Sequence, residues 1–356
     1  MASKNPYYSG QPNDHFDGLR FFNPNHPDTD RSFADILRWK LRERAAAWPR
    51  SITVLQTVPD AEVTGLRATI VGHASVLIQS GDLNVLTDPV WSEKASPVAF
   101  VGPRRVSAPG IAFDDLPPIH AVLLHNHYDH MDIPTLRRLN SRHRPLIVTP
   151  LGNDTILTRA IPGVRAMTGD WWDRIDIAKG GTVTIVPAYH WSTRAVRDRR
   201  MALWSGFMMH TGGGSAYFAG DTSYGDGQIF REMHARLGRP DLALIPIGAY
   251  APRWFMRDQH VDPDDAVRIM EDLRAVRAVG IHWGTFQLTD EAWGEPPKLL
   301  LNALRRRGIS PHLFPAGEPG LQYEATSMSD RRPRDHVHGG CLWSRLVMES
   351  NRETPG

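Results

Sequence analysis

Short apolar runs, each bounded by turn residues, follow one another along much of the chain from residue 66 onward. The segment LRATIVGHASVLIQSGDLNVLTDP, which begins at Leu66, contains β-rich runs separated by the turn SGD and predicts a meander that ends at Asp88. Later runs are AVLL at 121–124, TVTIVPAYH up to His190 and SAYFAGD up to Asp221. The pattern therefore predicts strands that deliver histidine and aspartate at their ends.

Helical spacing of apolar residues is found between these runs. The segment IPTLRRL predicts a helix that is capped by Asp132 or a neighbour, and PDDAVRIMEDL predicts a second helix, capped at Asp262, before a strand that delivers His282. In open α/β architectures, ligand sites lie beyond the carboxyl ends of the strands. We therefore expect the polar residues at the strand ends to converge on one edge.

The N-terminal part of the chain has a different pattern of polar and apolar residues from the strand-rich part. Residues 1–30 are rich in Asn, Pro, Asp and Gly and predict an extended arm, whereas SFADILRWKLRERAAAWP predicts an amphipathic helix from an N-cap at Ser32 to a stop at Pro49. The polar face of this helix is basic, with Arg38, Lys40, Arg42 and Arg44. Two interpretations stay open: a surface helix packed on the core with a solvated basic face, or a helix that contacts anionic lipid.

Composition narrows the class of protein. The 356 residues carry a formal net charge of only +2, which gives no electrostatic reason to expect a nucleic-acid partner. A single cysteine, Cys341, cannot form an internal disulfide. The first residues lack the apolar core of a signal peptide, and no apolar run approaches the roughly 18–20 residues of a spanning helix. These features predict a cytoplasmic protein, and peripheral binding to the inner face of a membrane stays open.

The most concentrated chemistry lies in LLHNHYDHMD, residues 123–132. Four of its side chains, together with three from other strand ends, provide five imidazoles and two carboxylates: His125, His127, Asp129, His130, His190, Asp221 and His282. Imidazole nitrogen and carboxylate oxygen are common zinc donors, and a carboxylate can bridge two ions. The set therefore suits two divalent metal ions, although His190 or His282 taken singly is more typical of an ordinary strand-end histidine.

The sequence HNHYDH is similar to the His-x-His-x-Asp-His signature of the metallo-β-lactamase superfamily. Longer segments, among them GHASVLIQSGDLNVLTDPVWSEKASPVAFVGPRR and GIHWGTFQLTDEAW, resemble the phospholipases D that hydrolyse N-acylphosphatidylethanolamine, and the resemblance runs from residue 21 to near residue 315. It implies an α/β (α+β) fold, the αββα sandwich, with two mixed β-sheets flanked by helices. It also implies a catalytic domain at 61–320, between an N-terminal arm with its helix at 1–60 and a C-terminal tail at 321–356.

The resemblance further implies which residues hold metal. His125, His127 and His190 would hold one zinc ion, Asp129, His130 and His282 the second, and Asp221 would bridge them. Iron or manganese suits the same donors. The implied reaction releases N-acylethanolamine and phosphatidic acid, with Asp129 and Asp221 as the catalytic carboxylates and either Asp129 or a water as the source of the leaving-group proton.

Two other classes of function stay open at this point. The site could serve a dizinc hydrolase of a smaller phosphodiester or a lactone, because fold and metals do not determine the substrate. A non-catalytic metal-binding or lipid-binding module is the third class, and the intact ligand set argues against it.

Further residues are candidates for supporting roles. His73 and Asp88 are expected to orient metal-binding histidines through hydrogen bonds. The candidates for contact with a phospholipid substrate, each of which could equally be a packing residue, are Tyr128, Trp91, Phe100, Trp254, Phe255, Gln259 and His260. A homodimer stays open.

Overall fold

The computed structural model describes residues 4–27, 29–96, 101–195 and 197–325. Phe100, Cys341 and the segment 326–356 lie outside the described residues. The strands within the described ranges are β1 Val63–Gly72, β2 Ser75–Gly81, β3 Leu83–Thr87, β4 Ala121–Leu123, β5 Leu146–Pro150, β6 Arg165–Gly169, β7 Arg174–Asp176, β8 Thr182–Val186, β9 Gly206–Thr211, β10 Gly214–Phe218, β11 Leu242–Pro246, β12 Arg277–Ile281 and β13 Gln322–Glu324. The helices are α1 Phe33–Arg42, α2 Ile133–Arg142, α3 Asn153–Ala160, α4 Gln228–Leu237, α5 Arg253–Met256, α6 Pro263–Asp272 and α7 Glu295–Arg306.

The first sheet has the order β13-β1-β2-β3-β4-β5-β6. Strands β1, β2 and β3 form the antiparallel meander that the sequence predicts, and β4, β5 and β6 continue it in parallel with β3. Because β3 and β4 are parallel neighbours, the residues that follow them, Asp88 and His125, reach the same edge of the sheet.

The second sheet has the order β12-β11-β10-β9-β8-β7. Strands β10, β11 and β12 are parallel, and β8 runs in the same direction because two antiparallel pairings separate it from β10. The residues beyond the ends of these strands therefore share one edge, which is where His190, Asp221 and His282 lie. The sequence predicts a strand that ends at His190. In the structure β8 ends at Val186, so His190 lies beyond the strand.

Side chains of the first sheet alternate between two apolar layers. Val76 and Ile78 on β2 belong to the cluster that also contains Phe207 and Phe218 of the second sheet, whereas Leu77 between them belongs to the cluster that contains Leu136 of α2. Successive side chains on a strand point to opposite faces, so both faces of this sheet are buried. The outer cluster packs beneath α2 and α3.

Helices also cover the second sheet: α6 packs on β11 and contacts α4 and α7. The order of layers is therefore helices, sheet, sheet, helices, and the prediction of an αββα sandwich with two mixed sheets is confirmed. No helix among the described residues is both long and apolar enough to cross a membrane.

The N-terminal arm packs on this body. Phe16 and Phe21 are almost fully buried in a cluster with Leu203 and Trp204. His15 lies beside it, with Nε2 2.7 Å from the Asp170 carboxylate and its ring stacked on Trp171. The arm is thus bound by aromatic packing and by a partly buried pair between His15 and Asp170.

Helix α1 is shorter than predicted. The capping box at Ser32 is present, but the helix ends at Arg42 rather than near Pro49. The backbone N–H of Ala46 donates to the carbonyl of Asp290 at 2.9 Å, and the Trp48 indole donates to the carbonyl of Glu291 at 2.8 Å. Residues 43–49 are therefore not helical although their sequence favours a helix, because these tertiary hydrogen bonds replace the helical ones.

The sheet also extends past residue 320, the predicted end of the catalytic domain. Strand β13 pairs antiparallel with β1, so Tyr323 lies opposite Ala68. This edge strand therefore lies within the segment that the sequence analysis places in the C-terminal tail.

Candidate metal centre

The loop between β4 and α2 carries the densest group of candidate ligands. The backbone N–H groups of His130 and Met131 both donate to the carbonyl of His127, at 3.1 and 2.8 Å, which closes the loop into a tight turn. Within this turn His125 and His127 face one group of side chains while Asp129 and His130 face another.

Two groups of donors lie side by side at the sheet edges. The nitrogen and carboxylate atoms within each group all lie within 4.8 Å of one another, and the groups are His125, His127, His190 and Asp221, and His73, Asp129, His130 and His282. All seven residues that the sequence singled out as ligands are therefore brought together, in the same two sets, with His73 added to the second.

Asp221 lies between the two groups. Its Oδ2 is 3.5 Å from His190 Nε2 and 3.0 Å from His130 Nε2, and its Oδ1 is 3.2 Å from His282 Nε2. Oδ2 thus lies near both groups and Oδ1 near the second, so this carboxylate could contact ions held by either group.

The glycine before Asp221 is needed for this placement. Gly220 has φ +58°, and a Cβ there would lie 3.1 Å from the carbonyl oxygen of Ser205 and 3.5 Å from His125 Nδ1. A side chain at this position would therefore crowd the Ser205 carbonyl oxygen in a backbone conformation that residues other than glycine rarely adopt.

Hydrogen bonds fix the tautomers of two histidines. Asp88, fully buried, accepts from His130 Nδ1 at 2.6 Å, and the carbonyl of Gln259 accepts from His190 Nδ1 at 2.9 Å. In both cases Nε2 is the ring nitrogen that faces Asp221. Partners of this kind orient metal-binding imidazoles and increase their basicity, the role that the sequence suggested for Asp88.

His73 holds Asp129 rather than another histidine. Its Nε2 lies 3.0 Å from Asp129 Oδ2, and its carbonyl accepts from the backbone N–H of His282 at 2.8 Å. Three residues of the site, His73, Asp88 and His282, have φ of 57°, 32° and 61°, in the left-handed region that non-glycine residues rarely adopt. Such conformations persist where the surrounding structure enforces them, typically at functional sites.

The second group of donors lies among buried carboxylates whose negative charge a bound cation would balance. Burial alone would lower the pKa of His130, but Asp129, Asp221 and Asp88 around it raise that pKa well above the ordinary value. Burial likewise opposes ionisation of Asp129, but His130 and its neighbours hold the pKa of this carboxyl well below its usual range. Clustered buried carboxylates of this kind are compensated by bound metal ions in proteins.

Two imidazoles of the first group have lowered pKa values. Burial lowers the pKa of His127 to about 3 and the pKa of His190 well below the ordinary histidine value. Neutral histidine is the form that binds metal. The buried Nε2 atoms of His125 and His127 and Oδ1 of Asp221 have no hydrogen-bond partner among the described residues. The donor set and these open atoms fit two divalent ions.

Arg194 is a residue of the site that the sequence analysis missed. Its Nη1 donates to the carbonyls of Asn126 and Met131 at 2.8 and 3.1 Å, so the guanidinium spans the metal-binding loop. Its position four residues after His190 was the only available sequence signal, and that spacing does not reveal contact with a distant loop.

Tyr128 faces outward from the same loop. Its hydroxyl donates to the carbonyl of Arg194, whose guanidinium lies 4.3 Å from the ring centroid. Both residues line a cavity of about 440 Å³, together with Lys94, Met131 and Asp132. The residues that line this cavity include none of the seven ligands, so it lies beside the metal centre.

The other substrate candidates separate into two sets. His260 is buried with its ring centroid 5.1 Å from that of His190, and Gln259 is buried next to it. Trp91, in contrast, packs edge-to-face on Phe113 and donates to the carbonyl of Ile111. The structure therefore places Trp91 in the outer apolar layer, away from the metal centre, because the irregular loop after Asp88 turns toward α2.

Trp254 and Phe255 lie at the contact between α1 and the body. Phe255 is buried with Met256 against Trp39 of α1. Trp254 is partly exposed beside it. Neither lines the cavity beside Tyr128. Phe100 lies outside the described residues.

Residues 83–283 match a family model described as the beta-lactamase superfamily domain. The chain belongs to the beta-lactamase superfamily. The matched range contains the seven ligand candidates and covers more than half of the chain.

Relatives within the superfamily point to a more specific group. The chain is 38% identical over 243 residues to N-acyl-phosphatidylethanolamine-hydrolyzing phospholipase D 1 of Caenorhabditis elegans, covering 65% of this chain and 68% of that protein. It is 32% identical over 225 residues to the mitochondrial N-acyl-phosphatidylethanolamine-hydrolyzing phospholipase D of Saccharomyces cerevisiae, covering 61% of this chain and 47% of that one. Among solved structures, the isothiocyanate hydrolase from Delia radicum gut bacteria superposes with a TM-score of 0.58 at 20% identity, covering 72% of this chain and 98% of that one. The chain is thus a metallo-β-lactamase-fold hydrolase that resembles the phospholipases named here.

Proposed function

We propose that this hydrolase is a phosphodiesterase of the phospholipase D type, which converts N-acylphosphatidylethanolamine to N-acylethanolamine and phosphatidic acid. The observation that carries the proposal is the position of Asp221 between two buried groups of metal donors. We infer the substrate class from two relatives, one from Caenorhabditis elegans and one from Saccharomyces cerevisiae, whose names state this reaction.

Two divalent ions, zinc in our proposal, would be held by His125, His127 and His190 on one side, by Asp129, His130 and His282 on the other, and by Asp221 between them. When bound, such a pair supplies a water that is activated near neutral pH and positive charge against the phosphoryl oxygens. Asp88 and the Gln259 carbonyl orient the imidazoles of His130 and His190 by accepting hydrogen bonds from their Nδ1 atoms.

The reaction forms a bond between a water oxygen and phosphorus and breaks the bond from phosphorus to the ethanolamine oxygen, which then takes up a proton. Asp129 is a poor source of that proton. Its pKa is held well below the ordinary value against the opposing effect of burial, and a bound cation would favour the ionised form further. We therefore propose Asp129 as a ligand, with the proton coming from solvent.

His260 and Gln259 are proposed to contact the substrate phosphate. Both side chains are buried next to the metal donors, and His260 Nδ1 and Gln259 Oε1 have no hydrogen-bond partner among the described residues. An imidazole N–H at this position can donate a hydrogen bond to a phosphoryl oxygen, and Gln259 could do so only through Nε2, which faces the Met256 sulfur at 3.4 Å.

The test is product analysis by mass spectrometry with N-acylphosphatidylethanolamine in mixed micelles and protein of determined metal content. We expect N-acylethanolamine and phosphatidic acid in matched amounts, with turnover removed by a chelator and restored by zinc. Asp221→Asn should abolish turnover, whereas Asp176→Asn, an exposed aspartate on β7, should leave it unchanged. A metal-loaded protein that leaves this lipid intact but hydrolyses a smaller phosphodiester or a lactone would overturn the substrate assignment.

A further inference from the structure

Helix α1 presents its apolar face to solvent. Phe33, Ile36, Leu37 and Leu41 share one side of the helix at helical spacing, and their exposed fractions are 79%, 42%, 48% and 75%. Scattered exposed apolar residues are ordinary, but a contiguous stripe on one helix marks an interaction surface.

The helix is nevertheless held firmly on the body. Trp39, on another side of α1, packs with Phe255 and Met256, and its indole donates to Asp290. The capping box at Ser32 and Asp35 fixes the first turn. The contacts of Trp39 therefore attach α1 to the body and leave the apolar stripe exposed.

Basic side chains surround the stripe. Arg38, Lys40, Arg42 and Arg44 are exposed, against two acidic residues between positions 33 and 44. One of these acids, Asp35, is occupied in the capping box, and the other, Glu43, accepts a hydrogen bond from the Trp254 indole at 3.3 Å. Arg38 lies over the Trp254 ring at 4.8 Å, which places a partly exposed tryptophan at the edge of the same surface.

We propose that α1 and Trp254 form a docking face for an anionic phospholipid bilayer. Apolar side chains on one face with basic residues beside them are the composition of helices that lie in the interface of a membrane, and tryptophan prefers that depth. Contact between two copies through this face would bring basic side chains together, whereas an anionic surface complements them.

A short chain of contacts connects the buried side of α1 to the metal centre. Trp39 packs on Met256, the Met256 sulfur accepts a hydrogen bond from the Gln259 side chain at 3.4 Å, and the Gln259 carbonyl accepts from His190. A membrane bound at α1 would thus bring lipid headgroups to the side of the protein where Gln259 and His260 lie. In this respect the inference rests on the proposed function, since it specifies how a lipid substrate is presented.

Vesicle cosedimentation of the full chain tests the proposal. The probes are vesicles of phosphatidylcholine alone and of phosphatidylcholine with phosphatidylglycerol in equal parts, both free of the substrate. We expect binding to the anionic vesicles that weakens with salt, and at least about a tenfold loss of affinity for Phe33→Ser/Leu41→Ser, because two exposed side chains no longer insert. Met167→Ser, an exposed apolar residue on β6, is the matched control and should bind like the wild type.

Equal binding by wild type and Phe33→Ser/Leu41→Ser, or the absence of wild-type binding, would overturn the docking face. A dimer that the double substitution converts to a monomer without changing vesicle affinity would identify the face as an interface between copies instead. Hydrolysis in detergent micelles separates the two proposals: vesicle binding without turnover contradicts the proposed function alone, and turnover in micelles without vesicle binding contradicts the docking face alone.

Discussion

Asp88 Oδ2 accepts a hydrogen bond from His130 Nδ1 at 2.6 Å, and both side chains are fully buried. Asp88 also approaches a second ligand, since its Oδ2 is 3.5 Å from His125 Nδ1. This carboxylate therefore orients the His130 imidazole directly and accepts from the backbone N–H of His125 at 3.3 Å, so it contacts a residue of each group.

Replacing this carboxylate should weaken metal binding without removing any ligand. We expect Asp88→Asn to reduce zinc affinity about 10- to 100-fold, because the amide no longer provides a charged acceptor for the His130 imidazole. Competition with a chromophoric chelator measures this change. Asp176→Asn serves as the control, and unchanged affinity in Asp88→Asn would contradict the orienting role.

Arg194 should act on the metal-binding loop through the backbone. Substitution by Met removes the donor that the carbonyls of Asn126 and Met131 share, and we expect a loss of about 2 kcal/mol in the free energy of unfolding and about tenfold weaker zinc binding.

Urea denaturation and chelator competition check both values. Arg194→Lys, which keeps the charge and a donor, should recover part of the loss, and Arg174→Met on the exposed surface of β7 should behave like the wild type. If Arg194→Met binds zinc normally, the loop is held by other contacts.

His15 should make attachment of the N-terminal arm depend on pH. Burial alone would lower its pKa, but hydrogen bonds to Asp170 and Asp14 outweigh burial and raise the pKa above the ordinary value of 6.5. A raised pKa in the folded state means that the stabilisation is complete below pH 6.5 and is lost as the pH rises through the folded-state value.

The comparison of wild type with His15→Gln in urea denaturation tests this dependence. The substitution should lower the free energy of unfolding by about 1 kcal/mol more at about pH 6 than at about pH 9. His312→Gln, at an exposed position, is the control. A loss that is the same at both pH values would show that His15 acts only through its stacking on Trp171.

The strands were predictable because period-two alternation and turn residues are local. Leu77 and Ile78 point to opposite apolar layers, and the run that contains them reads directly as a strand. The ligand set was also visible, since histidines and aspartates follow buried strands whose ends share one edge.

Other features depend on contacts that the sequence does not contain. The residues after Arg42 favour a helix locally, yet hydrogen bonds to residues 290 and 291 extend them. Trp91 lies in a loop without periodicity, and only packing on Phe113 decides its place. Amphipathic spacing in α1 was clear, but the face that packs on the body is the one with Trp39 rather than the apolar stripe.

Inductively coupled plasma mass spectrometry of the purified protein and of Asp221→Ala and His282→Ala, alongside turnover, tests the dimetal centre directly. We expect two divalent ions per wild-type chain, and reduced metal with no turnover in both variants. Two ions and full turnover in Asp221→Ala would contradict the bridging role of Asp221 and the dimetal centre built on it.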